Sequence, residues 1–344
     1  MTRVLMVSTI SRFLRDFLFP YADHYRARGW QVDALTSRVD EFPECRRFFQ
    51  NVWEVSWSRS PLTLRKSWQS AKRIREIVDR EQYDIVHVHT PVAAFVTRFV
   101  LRGLRKTRNI KVIYTAHGFH FSSLGSRLRN SIFLTLEKVA GRWTDHLVVI
   151  NADDAHAALE HQLTPEGKVW HFPGIGVNVD YYNPRAIPDH IVELVRQGMD
   201  VPPSAPLFSV VAEFIPRKRH YDILKAFSML QYSQVHLALA GYGPLMPALK
   251  AYALELGVAD RVHFLGFQND VRALIRASDA LILASNQEGL ARCIMESMAL
   301  EVPVIGTDIR GIRDLLEDGA GVLVPPGNTQ SLLQAMNWII DNPD

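Results

Sequence analysis

The sequence predicts an α/β protein made of two doubly wound parallel-sheet units in tandem. Three observations predict it. Short β-rich apolar runs recur, each followed by a longer helical pattern, as parallel strands joined by crossover helices require. The chain has 344 residues, enough for about two domains. The alternation runs through the first half, breaks at Pro173-Gly174-Ile175-Gly176-Val177-Asn178, and then runs again.

In the first half the expected strands are Val4–Ser8, Val32–Thr36, Ile85–His89, Val112–Thr115 and Leu147–Ile150. Leu14 to Arg28 reads as the first helix, stopped by Gly29, and Arg65 to Arg80, Ala93 to Arg105 and Leu128 to Gly141 read as later ones. The second half repeats the plan with strands Leu207–Val211, Val235–Ala240, Val262–Leu265, Ala280–Ala284, Val302–Gly306 and Gly321–Val324. The Pro173–Asn178 segment reads as a hinge between residues 1–175 and 176–344. Ligands of open α/β sheets bind beyond the carboxyl ends of the strands, so two such units facing each other are expected to enclose a cleft with two binding walls.

Composition narrows the function. With 47% hydrophobic and 22% charged residues the chain is too apolar for disorder, and its net charge of +3 argues against a nucleic-acid-coating protein. The charge is divided unevenly: 25 Lys and Arg stand against 13 Asp and Glu in residues 1–150, and 14 against 23 thereafter. A basic first half suits an anionic surface or substrate. Two cysteines, Cys45 and Cys293, exclude a disulfide or zinc framework and point to a reducing compartment. The N-terminus lacks the pattern of a signal peptide, and the longest uncharged stretch, Gly319 to Ile340, is broken by Pro325-Pro326-Gly327. The expectation is a cytoplasmic protein whose membrane contact, if any, is peripheral.

The most informative stretch runs from Asn286 to Glu296. A strand ends, a loop carries Glu288, and a helix is expected to begin near Leu290 with Glu296 about two turns in. Backbone N–H groups at such a helix start suit a diphosphate. Eight residues at helical rise separate the carboxylates by roughly 12 Å, on the order of the sugar-to-ribose span of a nucleotide-sugar. Glu288 can then hold sugar hydroxyls and Glu296 the ribose diol; the plainer alternative is a solvated loop glutamate and an ordinary helix glutamate.

These residues carry a family resemblance. Glu288-Gly289-Leu290 through Glu296, with Ser297-Met298-Ala299 and Val302-Pro303-Val304-Ile305-Gly306-Thr307, resembles the E-x7-E region of the retaining glycosyltransferases of family four, which adopt the GT-B fold. The likeness extends through Leu239-Ala240-Gly241-Tyr242-Gly243-Pro244, Val262-His263-Phe264-Leu265-Gly266-Phe267 and Gly321-Val322-Leu323-Val324-Pro325-Pro326-Gly327-Asn328. In the first half Asp84-Ile85-Val86-His87-Val88-His89 and Tyr114-Thr115-Ala116-His117-Gly118-Phe119-His120-Phe121 fit as well. The last string is similar to the branch found in capsule and exopolysaccharide clusters, whose enzymes extend a lipid-diphosphate-linked glycan.

The resemblance implies an acceptor-binding unit 1–175, a donor-binding unit 176–344, and transfer from a nucleoside-diphosphate sugar, taken as a UDP-sugar, to a polyprenyl-diphosphate-linked saccharide. It implies catalytic roles for His117 and Glu288, and donor contacts from Arg217, Lys218, Gly266, Phe267, Glu288, Gly289, Leu290, Ala291 and Glu296. Lys218 would neutralise the diphosphate and so stabilise the leaving group. The family arginine five residues earlier is Glu213 here, so Arg217 or Arg219 is left to supply the second charge. His117 would face the reacting sugar, donating or accepting a hydrogen bond near the anomeric carbon. No protein nucleophile is assigned; front-face attack assisted by the departing phosphate is implied. Family members usually continue into a terminal helix that crosses back onto the first domain, whereas this sequence stops at Asp344, so a shortened crossover or a truncated chain is expected.

On the acceptor and membrane side stand His120, Arg127 and Arg129, within the stretch from Phe119 to Phe133 that also holds Phe121, Leu124, Leu128 and Ile132. With Trp53, Trp57, Arg59, Arg65, Lys66, Trp68, Lys72, Arg73 and Arg75 they mix cations with aromatics as an anionic inner leaflet and a lipid diphosphate require. Amphipathic helices with core-facing tryptophans are the alternative. No cofactor and no metal are expected, since no Asp-x-Asp occurs, and neither is nucleic acid. His87 and His89 on one strand face and the His117-x-x-His120 spacing suggest a metallohydrolase site, but no acidic ligands accompany them. Gly241-Tyr242-Gly243 lacks the rest of a dinucleotide fingerprint. A nucleotide-sugar 2-epimerase and a nucleotide-sugar-binding protein without catalysis are the competing functions.

Overall fold

The computed structural model describes residues 1–57, 64–121, 125–165 and 167–343. Arg59 and Leu124 lie outside the described residues, as do the side chains of Arg65, Lys66 and Trp68. The chain divides into two compact units, Met1–Ile175 and Gly176–Asp344.

Among the described residues the first unit holds a seven-stranded, wholly parallel sheet in the order β3-β2-β1-β4-β5-β6-β7. The strands are β1 (Arg3–Val7), β2 (Gln31–Thr36), β3 (Val52–Glu54), β4 (Ile85–His89), β5 (Lys111–Ala116), β6 (His146–Val149) and β7 (Val169–His171). Successive side chains of a strand alternate between faces. Leu5 and Val7 therefore enter one core with Val86, Val88, Val112 and Tyr114, while Val4 and Met6 enter another with Val32 and Ala34. Helices cover both faces, which is why the central strands read as unbroken apolar runs. The edge strands β3 and β7 were not anticipated, because three residues each are too few to show a period and both carry a polar terminus.

The second unit holds a six-stranded parallel sheet in the order β10-β9-β8-β11-β12-β13. Its strands are β8 (Leu207–Val211), β9 (His236–Ala240), β10 (Val262–Gly266), β11 (Ala280–Leu283), β12 (Val304–Thr307) and β13 (Val322–Val324). Phe208, Val210, Leu237, Leu239 and Ile282 point to one face, and Leu281, Leu283 and Val304 to the other. The Gly-Tyr-Gly after β9 serves packing: a Cβ on Gly241 would lie 1.9 Å from the Ala212 carbonyl oxygen, and one on Gly243 2.5 Å from that of Phe214.

In each unit the strand order reverses once, between β1 and β4 and between β8 and β11. At such a point the chains leaving the two central strands turn to opposite sides, which opens a crevice at their carboxyl ends.

Candidate functional site

In the second unit the crevice is framed by the turn after β8 and the loop after β11. Beyond Val211 the chain passes buried Phe214 and enters a 3-10 turn, Pro216–Lys218. Beyond Leu283 it runs as an irregular loop to the helix Arg292–Ala299. The Asn286 N–H donates to the Arg217 carbonyl at 2.8 Å and ties the two segments. Across this tie Lys218 Nζ stands 2.6 Å from Glu288 Oε1, with side chains only 12% and 10% exposed. Each charge makes the other's burial tolerable. One Nζ proton is committed to Glu288, which leaves two for a ligand. Arg217, exposed, reaches the Gln287 carbonyl at 3.3 Å, whereas Arg219 gives two hydrogen bonds to Asp222. Of the two arginines, Arg217 is thus the one beside the Lys218–Glu288 pair.

The helix begins at Arg292, two residues later than the expected start near Leu290. Glu288 therefore precedes it, and helical rise does not set its separation from Glu296. The reason is local: Ala291 is the N-cap, with extended φ/ψ, so residues 288–290 carry no helical ladder. Gly289 is supported from behind by Gly311 in the turn after β12, where φ is +73° and a Cβ would lie 2.1 Å from the Gly289 carbonyl oxygen. Leu290 is half-buried and Ala291 buried.

Glu296 is buried in the second turn of the helix. Its Oε1 accepts the Tyr182 hydroxyl at 2.7 Å and pairs with Arg292 Nε at 2.9 Å, one turn back. Burial raises its pKa, opposed by the bonds from Tyr182 and Arg292. Burial also pushes the Cys293 thiol up to about 12, so it holds its proton at neutral pH. Gly266 closes β10, its carbonyl accepting the Gly241 N–H at 2.8 Å, and exposed Phe267 meets Tyr242 edge-on. The second unit thus brings Arg217, Lys218, Glu288 and Glu296 to one crevice, with Gly266 and Phe267 at the carboxyl end of β10, two strands from β8.

The first unit has a matching arrangement. Thr9 follows β1 and Thr90 follows β4; their hydroxyls meet at 2.6 Å across the reversal, and the Thr9 N–H donates to Thr90 Oγ1 at 3.0 Å. Thr90 has φ of +61°, a strained conformation for a β-branched residue. His117, just past β5, lies with Nε2 at 3.1 Å from Nδ1 of buried His89. His87 packs on His89 with ring centroids 4.1 Å apart, and its Nε2 meets Thr115 Oγ1 at 2.7 Å. Burial lowers all three imidazoles, His87 to about 4 and His117 to about 3, so they are neutral at physiological pH. Phe13 and Phe17 flank His117, with centroids at 4.8 and 6.3 Å. The expected single helix from Leu14 carries a π-helical stretch, Leu14–Leu18, at this point, an irregularity frequent at functional sites.

His117 and His120 do not converge: His120 is exposed and lies against Phe133. Among the described residues no group of three or more His, Cys, Asp or Glu could hold a metal ion. Arg127 and Arg129 are exposed at the start of the helix Arg127–Gly141, beside Leu128 and Ile132, which are 75% and 52% exposed. Of the tryptophans of the basic segment, Trp53 and Trp57 turn inward. Trp53 donates to the Tyr83 hydroxyl at 3.0 Å, and Trp53 and Trp57 pack on the core, as do the stacked Phe119 and Phe121. Among the described residues no helix is long and apolar enough to cross a membrane.

Thr9, Phe13, Phe17, Thr90, Tyr182 and Arg292 were not anticipated as parts of these sites. The signal of Thr9, Phe13, Phe17, Thr90 and Arg292 is position after β1, β4 and β11, strands that flank the reversals, which becomes visible only with the strand order; Tyr182 precedes β8 and joins the site through its hydrogen bond to Glu296.

Residues 193–344 match the family described as Glycosyl transferases group 1, and residues 21–181 match Glycosyltransferase Family 4. EpsD of Bacillus subtilis is 28% identical over 99% of this chain and 88% of its own length. The UDP-Gal:alpha-D-GlcNAc-diphosphoundecaprenol alpha-1,3-galactosyltransferase of Escherichia coli is 24% identical over 82% of this chain and 72% of that protein. Among solved structures, Anabaena Alr3699/HepE in complex with UDP-glucose superposes with a TM-score of 0.79 at 19% identity, covering 99% of this chain and 90% of the other. The fold is GT-B. With consecutive matches over both of its units, the chain belongs to the glycosyltransferases of family 4.

Proposed function

We propose that the protein is a retaining glycosyltransferase that moves a sugar from a UDP-sugar to a polyprenyl-diphosphate-linked saccharide in surface-polysaccharide synthesis. The observation that carries this reading is the Lys218–Glu288 pair at the β8/β11 reversal, with Glu296 buried in the helix that follows. Lys218 and Arg217 bind the diphosphate and stabilise the charge that develops on it, so that no metal is needed. The start of the helix at Arg292, capped by Ala291, which has no side-chain acceptor, favours the same anion. Glu288, with the backbone from Gly289 to Ala291, orients the sugar hydroxyls. Glu296, held through Oε1 by Tyr182 and Arg292, takes the ribose diol. Gly266 and Phe267 border the base, and His117 offers a hydrogen bond to the reacting sugar. The departing phosphate assists front-face attack by the acceptor hydroxyl.

The donor assignment draws support from the Anabaena protein, solved with UDP and with UDP-glucose. The acceptor assignment draws on the Escherichia coli relative, whose name gives GlcNAc-diphosphoundecaprenol as its acceptor. His120, Arg127 and Arg129, beside exposed Leu128 and Ile132, suit a lipid diphosphate at the anionic inner face of the plasma membrane. Glu213, exposed where the family places an arginine, favours a second reading, a nucleotide-sugar-binding protein without turnover.

Thermal unfolding with UDP, ADP, GDP and their sugars, on the wild type and Glu296→Ala, tests the donor site. Stabilisation by uridine nucleotides alone, lost in the variant, supports it, and no stabilisation by any nucleotide overturns it. Transfer from the stabilising donor to undecaprenyl-diphosphate-linked glycans in EDTA then separates transferase from binder.

A further inference from the structure

His89 pairs with Thr115 across β4 and β5, so its ring lies beneath the chain that carries His117 out of the sheet. The two imidazoles share one hydrogen bond, His89 Nδ1 to His117 Nε2 at 3.1 Å. A neutral imidazole carries one N–H and one bare nitrogen, so one ring donates and the other accepts. The choice is made by the far side of His89, where Nε2 is buried and has no hydrogen-bond partner. A proton on that nitrogen would be a buried N–H with nothing to receive it, which is rare in folded proteins because the donor loses its water without gaining a partner. A bare nitrogen there is the cheaper state, and it puts the His89 proton on Nδ1.

We infer that His89 is a positioning residue: its Nδ1–H donates to His117 Nε2 and thereby fixes His117 as the Nδ1–H tautomer. His117 Nδ1 has no hydrogen-bond partner among the described residues. Its N–H is consequently the group the ring offers to a ligand. With the Nε2 lone pair occupied and Nδ1 protonated, His117 can donate to a sugar or phosphate oxygen and cannot act as a general base. Phe13 and Phe17 pack on the ring and restrain its rotation, and His87 is engaged with Thr115, so neither offers Nε2 of His117 another donor. The ligand half of this inference rests on His117 facing the reacting sugar; the tautomer half does not.

The test is long-range 1H–15N correlation spectroscopy of the full chain labelled with 15N-histidine, in which protonated and bare ring nitrogens resonate far apart. His117 is assigned by its loss in His117→Gln. The wild type is expected to show His117 protonated at Nδ1 and bare at Nε2. His89→Asn keeps an N–H donor in the place of Nδ1 and is expected to preserve that state. His89→Leu removes the donor and is expected to move the His117 proton to Nε2, the nitrogen that free histidine favours. A wild type protonated at Nε2, or one unchanged tautomer in the wild type and both variants, overturns the inference. Should His89→Leu fail to fold, His89→Ala, which also removes the donor, takes its place with the same expected shift of the His117 proton. Full transfer activity in His117→Ala, with the tautomers as expected, would remove the sugar-facing role and leave His89 as the group that sets the tautomer.

Discussion

Lys218 Nζ lies 2.6 Å from Glu288 Oε1, across the point where the strand order of the second sheet reverses. The residues are 70 positions apart and come from loops leaving neighbouring strands, β8 and β11. Their pairing holds the crevice in shape before any ligand arrives, at the cost of burying two charges that then depend on each other.

Removing one partner therefore exposes the debt of the other. Lys218→Met is expected to destabilise the second unit by about 3 kcal/mol, the usual penalty for a buried charge left without its partner. The double variant Lys218→Met/Glu288→Gln should recover a large part of that loss while remaining inactive. A double-mutant cycle in urea checks this, and additive losses would contradict it.

Glu296 uses one oxygen for both Tyr182 and Arg292. Tyr182→Phe should therefore lower affinity for UDP by about tenfold, near the worth of one hydrogen bond to a charged group, with less than 1 kcal/mol lost in nucleotide-free stability. Titration calorimetry measures the first and chemical denaturation the second. Unchanged affinity would show that Tyr182 does not orient the carboxylate.

Gly311 leaves no room for a side chain against the Gly289 carbonyl. Gly311→Ala is expected to push the loop from Glu288 to Ala291 outward, abolishing stabilisation by UDP and lowering the melting temperature. The control Gly257→Ala, also at positive φ but with open space around its Cβ, carries backbone strain alone and should leave UDP binding unchanged.

The buried histidines make the first unit acid-labile. His87 and His117 titrate near 4 and 3 when folded, against 6.5 when free. Between those values the unfolded chain binds more protons, so stability is complete above about pH 7 and falls as pH drops through 6.5 toward 4. At pH 5 each neutral histidine costs about 2 kcal/mol. Urea unfolding at pH 7 and pH 5 should show this loss, reduced by one histidine's share in His117→Asn. An identical pH dependence in the variant would show that His117 does not contribute.

Much of this protein was legible before its structure. The apolar runs from Val4 to Val324 placed the central strands within a residue or two, because a strand buried on both faces has to be apolar throughout. Glu288, Glu296, Lys218 and His117 stood out as candidates because strand-to-helix turns and a family resemblance select the same residues. Local pattern did not reach the edge strands β3 and β7, too short to show a period, or the start of the helix at Arg292, where an extended Ala291 outweighs the helix-forming residues around it. It also left open which way Trp53 and Trp57 point, since an amphipathic segment does not say which of its faces meets the core. The pairings that give the sites their chemistry, Lys218 with Glu288, Tyr182 with Glu296 and His89 with His117, join residues 28 to 114 positions apart. Sequence determined which groups were available, and tertiary structure decided which of them meet. The reversal between β8 and β11 joins Lys218 to Glu288, the adjacency of β4 and β5 joins His89 to His117, and the segment before β8 brings Tyr182 to Glu296, because each pair is distant along the chain and meets only where the fold lays their segments side by side.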